Sequence, residues 1–146
     1  MNTERVLGMA DQLMMSVPGK PEYVGTVRIA VAHVASNAGF DIEAIDDIKI
    51  AVSEACTNII NHAHKCPEFS YDVILEVGEE GLTITVKDFG IGFNVENSTK
   101  PVSGEPQESG LGLFIIKALM DEVSINSAPG HGADIKMTRY LPDKIA

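Results

Sequence analysis

The order of patterns along the chain predicts an α/β sandwich: a mixed, mostly antiparallel sheet with helices packed on one face. Three observations carry this. An opening strand-like run is followed by two long helical runs; two alternating runs then read as a hairpin; and a glycine-rich stretch leads to a third helix followed by a second hairpin. A doubly wound parallel sheet would alternate strands and helices one for one, and this chain does not.

Residues 1–12 read as a loosely held N-terminal extension, and 13–146 as a single domain. The run LMMSVP (13–18) is a short strand ended by Pro18-Gly19. The segment PEYVGTVRIAVAHVASNAGF reads as a helix, with Pro21 in its first turn and Gly39 past its end. A second helix spans about Ile42 to His64, with Asp41 as its N-cap. YDVILEV (71–77) and LTITVKD (82–88) alternate apolar and polar residues around a Gly-Glu-Glu-Gly turn, so they form a hairpin. Residues 89–109 hold many Gly, Pro, Ser, Asn and Thr residues without apolar period, and a loop of that length in a compact domain reads as a functional lid. LGLFIIKALMDEV then gives a short helix, followed by a strand near 123–127, the turn APGHG and a last strand, ADIKMTRYL.

Bulk properties narrow the function. The 146 residues are enough for one domain with a real core, and 45% of them are apolar. No apolar run approaches a membrane span, and the N-terminus lacks a signal-peptide pattern. Two cysteines do not make a disulfide framework, so a reduced, cytoplasmic setting is the simplest reading. A net charge of −10 and a pI near 4.7 disfavour direct binding to nucleic acid or anionic membrane, while leaving nucleotide binding open to local cations, amides and a metal ion.

Three motifs carry the chemistry. In SEACTNIINH, at 100° per residue, Glu54, Asn58 and Asn61 fall on one side of the second helix. The apolar stripe Ile45, Ile48, Val52, Ala55 and Ile59 lies roughly 120° away. The stripe can dock on a sheet while a carboxylate and amides line a cleft, where the carboxylate handles a proton and the amide coordinates Mg²⁺. Taken alone, the same residues would suit a solvated helix face. Asp88-Phe89-Gly90-Ile91-Gly92 ends a strand. Its carboxylate can accept from the exocyclic amine of adenine, although an ordinary strand-to-loop turn uses the same residues. Ser109-Gly110-Leu111-Gly112-Leu113 opens a helix whose first amides can hold phosphate oxygens. It is neither a Walker A loop nor a dinucleotide fingerprint.

Together, in this order, the three motifs resemble the GHKL ATPase family, over nearly the whole chain after the first dozen residues. Within it, PEYVGTVRIAV, IDDIKIAVSEACTN and SGLGLFIIKALMDEV are most similar to the bacterial anti-sigma factors that are also serine-protein kinases, particularly the general-stress type. The resemblance implies a Bergerat-type ATP-binding fold, a homodimer, ATP and Mg²⁺ as cofactors, and two competing partners: a sigma factor and an anti-anti-sigma protein. It places Glu54 at the general base, Asn58 at the Mg²⁺ ligand and Asp88 at the adenine-reading carboxylate, with Gly90 and Gly92 in its turn. Gly110 and Gly112 match the phosphate-cradling glycines, flanked by Ser109 and Leu111, and Lys100 in the lid is a phosphate contact.

Two positions depart from the pattern. Glu108 stands where some relatives carry a basic residue, and Ala133 follows Gly132 where the family often has threonine. A hydroxyl that helps hold adenine is therefore either missing or supplied from elsewhere, with Thr138 as the candidate. Cys56, His62, His64 and Cys66 have no standard zinc-finger spacing, and His33 reads as a satisfied helix histidine. Two rivals to the anti-sigma kinase stand: a nucleotide-gated module that sequesters a partner without catalysis, and a related kinase inside a larger signalling assembly. The presence of both Glu54 and Asn58 argues against the first.

Overall fold

Five strands form one sheet in the order β1-β2-β3-β5-β4. The computed structural model describes residues 10–62, 69–88, 108–128 and 132–142. Their elements are β1 (Asp11–Pro18), a 3-10 turn (Pro21–Tyr23), α1 (Val24–Ala38), α2 (Ile42–His62), β2 (Ser70–Val77), β3 (Gly81–Asp88), α3 (Glu108–Leu119), β4 (Glu122–Ala128) and β5 (Gly132–Tyr140). Every neighbouring pair is antiparallel, so the sheet is not mixed among the described residues. β4 runs in the same sense as β3, but β5 inserts between them and absorbs the parallel contact.

Local sequence explains most boundaries. Asp41 Oδ1 accepts from the Ala44 amide at 2.8 Å, the N-cap that starts α2. Gly39, at φ 108°, ends α1 in the left-handed conformation, and the Phe40 amide donates to the Ala35 carbonyl. Pro21 starts a 3-10 turn rather than the α-helix itself, which begins at Val24. β1 begins at Asp11, ahead of the apolar run, because Asp11 and Gln12 pair through their backbones with Val77 and Glu76. α3 begins at Glu108 and ends at Leu119, so the predicted helix and the last residues of the predicted lid both shift towards the N-terminus.

One face of the sheet is dry. Tyr71, Val73 and Leu75 of β2, Leu82, Ile84 and Val86 of β3, and Ile135 and Met137 of β5 are buried under Val27, Val31 and Ala35 of α1, Ile48, Val52 and Ile59 of α2, and Ile116 of α3. The other face is polar: Thr83 Oγ1 and Thr138 Oγ1 are 3.0 Å apart across β3 and β5, in a row with Glu76 and Glu122. Such alternation suits an antiparallel sheet covered on one side. No helix among the described residues is long and apolar enough to cross a membrane.

Candidate active site

α2 supplies the first part of the site. Its buried stripe of Ile48, Ala51, Val52, Ala55 and Ile59 fixes the helix on the sheet and sets the direction of the residues beside it. Glu54 is half-buried and Asn61 exposed, but Asn58 is only 5% exposed. Its Oδ1 is buried without a hydrogen-bond partner. An orphaned buried acceptor costs about 1–3 kcal/mol unless something else satisfies it. This excludes the solvated-face reading of Asn58. A hard amide oxygen of this kind fits Mg²⁺ or one of its waters.

Asp88 is the last residue of β3, on the helix-covered face, and is 3% exposed. Gly132 opens β5 beside it with φ 83°, a conformation that side-chain-bearing residues rarely adopt. A methyl group on Gly132 would run into the Asp88 carbonyl and stand 3.2 Å from its Oδ1. Gly132 therefore leaves room for the carboxylate as well as making the turn. A recess of about 320 Å³ opens at this end of the sheet, lined by Asp88, Ser127 and Gly132 among others. It touches neither α2 nor α3, and Lys87, Asn126 and Asp134 line it from the polar face, so it lies at the end of the sheet and not between sheet and helices.

Thr138 does not supply the hydroxyl that Ala133 lacks. It lies on the opposite face of the sheet, paired with Thr83 and separated from Ala133 by most of the strand. The hydroxyl that shares the recess is that of Ser127, directly across β4 and β5 from Ala133. Neither Ser127 nor Gly132 is marked as a site residue by the sequence; cross-strand register alone brings them to Asp88.

The third part is the start of α3. Ser109, Gly110, Leu111 and Gly112 lie within its first turns rather than ahead of it. Gly110 and Leu111 are exposed, whereas Gly112 is buried, and a methyl group on it would stand 3.0 Å from Glu54 Oε1. Thus Glu54 and Gly112 are brought together across α2 and α3, while Asp88 ends β3 on the helix-covered face. Gly90, Gly92 and Lys100 lie outside the described residues, as do His64 and Cys66.

Cys56 belongs to the core. It is fully buried, and burial pushes its thiol up to about 11, against a smaller opposing hydrogen bond with Tyr71. Burial and the facing thiol likewise push the Tyr71 hydroxyl up. The geometry leaves the Tyr71 hydroxyl without a well-formed partner, so the pair is a weak contact. The place of Cys56 in the hydrophobic core accounts for it as a small packing residue. His33 shares a hydrogen bond with Asn37 at 3.2 Å on the α1 surface.

A half-buried carboxylate and a buried amide stand one helical turn apart on α2, a buried carboxylate ends β3, and glycines lie in the first turns of α3. The family model for the histidine kinase-like ATPase domain matches residues 17–139. The chain belongs to this family. Among curated relatives, the serine-protein kinase RsbW of Oceanobacillus iheyensis is 40% identical over 92% of this chain and 89% of its own length. The serine-protein kinase RsbW of Bacillus licheniformis is 39% identical over 90% and 87%. Solved structures agree on the fold. The RsbU and RsbW domains of a Mycobacterium tuberculosis protein superpose with a TM-score of 0.66 at 22% identity, over 89% of this chain and 32% of that one. The histidine kinase domain of a blue-light activated kinase from Erythrobacter litoralis gives 0.56 at 22%, over 87% and 63%. The family's nucleotide-binding fold and the chain's helix-covered antiparallel sheet coincide.

Proposed function

We propose that the chain is an ATP-dependent serine-protein kinase and anti-sigma factor of the RsbW type. In this reading it sequesters a sigma factor and phosphorylates a serine on its anti-anti-sigma antagonist. The observation that carries the catalytic half is the pair on α2: half-buried Glu54 one turn from Asn58, whose acceptor oxygen is buried and unsatisfied. A module that merely bound nucleotide would not require a carboxylate beside that amide.

The side chains divide the work. Asp88, given room by Gly132, accepts from the adenine amine and so selects ATP over GTP. Asn58 Oδ1 would hold Mg²⁺, which when bound would neutralise charge on the phosphates. The first-turn amides of α3 steady the phosphate oxygens. Glu54 orients the incoming serine hydroxyl and takes its proton. Gly90, Gly92 and Lys100 complete the nucleotide contacts, with residues from about 89 as a lid. We assign the chain to the cytoplasm as a homodimer.

The charge of the protein completes the cycle. Phosphate adds nearly two negative charges to the antagonist, and it faces a kinase of net charge −10. Repulsion then releases the product and frees the kinase for the sigma factor. The test mixes the protein with its co-purifying partners and Mg²⁺–ATP, and follows phosphate incorporation and complex size together. Phosphoserine on one partner, with dissolution of that complex alone, is the expected result. Stable complexes that gain no phosphate would leave a nucleotide-gated binding module instead.

A further inference from the structure

The helix-covered face of the sheet changes character at one end. Register sets its side chains in rows that cross β2, β3, β5 and β4. One row is Leu75, Ile84, Met137 and Val123, and the next is Val73, Val86, Ile135 and Ile125. Both are wholly apolar, as a covered face should be. In the last row Tyr71 pairs with Asp88 and Ser127 with Ala133. The register that pairs Lys87 with Asp134 brings Asp88 and Ala133 level. A buried carboxylate and a half-buried hydroxyl thus stand where alternation calls for apolar side chains.

Neighbouring strands lie about 4.8 Å apart, so the backbones at Asp88 and Ser127 are about 10 Å apart, with β5 between them. Ala133 contributes only a methyl group to that interval. All three residues line the recess of about 320 Å³ at the end of the sheet. Its polar lining on the other face is turned away from them: there Asn126 Nδ2 donates to Asp134 Oδ1 at 3.2 Å. An ionised carboxylate only accepts, whereas a serine hydroxyl rotates and can donate. One edge of adenine asks for both, because its amine donates and the ring nitrogens beside the amine accept. Two hydrogen bonds of about 2.9 Å, with that edge between them, span the interval once both side chains lean inward. We propose that Ser127 is a second base-reading residue, donating to a ring nitrogen next to the amine that Asp88 accepts. This rests on Asp88 reading adenine. Guanine carries a carbonyl in place of the amine, so the acceptor and the donor together select a purine with an amine at that carbon.

The experiment measures, by calorimetry with Mg²⁺ present, the binding of ATP, GTP, 7-deaza-ATP and 1-deaza-ATP. Each deaza analogue replaces one of the two ring nitrogens flanking the amine by carbon. The proteins are wild type, Ser127→Ala and Ser127→Thr, with folding checked by circular dichroism. Ser127→Ala should weaken ATP about three- to tenfold, and Ser127→Thr, which keeps the hydroxyl, should recover most of that loss. In the wild type one of the two analogues should bind about three- to tenfold more weakly than ATP. In Ser127→Ala that analogue and ATP should bind alike, because the partner of the nitrogen is already gone. Wild-type ATP affinity in Ser127→Ala overturns the proposal. So does a loss in Ser127→Ala that is the same for ATP and both analogues, which would make Ser127 a packing residue only. Should Ser127→Ala fail to fold, Ser127→Val against Ser127→Thr repeats the comparison at nearly equal side-chain size. Equal ATP and GTP affinity in the wild type removes the adenine reading of Asp88 and this proposal with it. A wild type that prefers ATP, with no coupling between Ser127 and either ring nitrogen, overturns the proposal alone.

Discussion

The two ends of the α2–α3 pair treat polar groups in opposite ways. At the Arg139 end, the guanidinium, the Asp47 carboxylate of α2 and the Leu119 carbonyl that ends α3 satisfy one another, and Asp121 adds its own bond to the Tyr140 amide at 2.7 Å. At the Glu54 end, a buried amide oxygen has no partner and a glycine leaves space beside a carboxylate. The first arrangement lowers the energy of the fold by itself. The second raises it until something else enters. A protein keeps such an end for what it binds, and substitutions at the two ends should therefore separate function from stability.

The largest effect belongs to the open end. Glu54→Gln keeps size and hydrogen bonding but cannot take a proton, so phosphoryl transfer should fall about 10²–10⁴-fold. Unfolding temperature and nucleotide affinity should stay near wild type. Equal losses of affinity and rate would merge the roles assigned to Glu54 and Asn58.

Asp88→Asn comes next. It replaces an acceptor oxygen by a donor at a buried site, and should cost about 1–3 kcal/mol of ATP affinity. Calorimetry against ATP and GTP checks it: equal affinities for the two nucleotides in the wild type would contradict adenine selection by Asp88.

The closed end should answer in stability instead. Arg139→Ala removes a half-exposed ion pair and a carbonyl cap, worth about 1–2 kcal/mol once solvent screening is allowed for. Urea unfolding would show it as a lower midpoint at unchanged slope. No loss of stability would mean that the contact does not clamp α3.

The smallest effect sits in the core between the two ends. Burial raises the Cys56 thiol from 9.0 to about 11, so the folded state holds that proton more tightly than the unfolded chain. The associated stability is fully present below pH 9 and is lost as pH rises towards 11. Thermal unfolding of Cys56→Ala should show less of that alkaline decline than wild type. With Cys66→Ser as background, Cys56 should resist alkylation at pH 8 until the protein unfolds. Rapid labelling of the native protein would contradict its burial.

Which parts were legible in the sequence follows the range of the interactions. The Asp41 cap, the stop at Gly39 and the β2–β3 hairpin are set by residues close in the chain, and their signals were plain. The i, i+4 spacing of Glu54 and Asn58 was equally local. What it could not give was the depth of Asn58, because the sheet beneath α2 decides that. Thr138 was a reasonable guess for a missing hydroxyl until strand register put it on the far face, with Ser127 in the recess instead. The closeness of Gly112 to Glu54 had no signal in the sequence, because Glu54 lies on another helix. Arg139 carried no sequence signal, since a strand-end arginine is ordinary until two helix ends meet it.

The central claim is that the unsatisfied oxygen of Asn58 is where the metal-bound nucleotide docks. Calorimetric titration of ATP into wild type and Asn58→Ala, each with and without Mg²⁺, tests this most directly. The account predicts Mg²⁺-dependent binding in the wild type, at least about tenfold weaker in Asn58→Ala. Without the metal, the two proteins should differ little, and their unfolding temperatures should stay close because the lost group satisfied nothing in the fold. An Asn58→Ala protein that binds Mg²⁺–ATP like the wild type would contradict it.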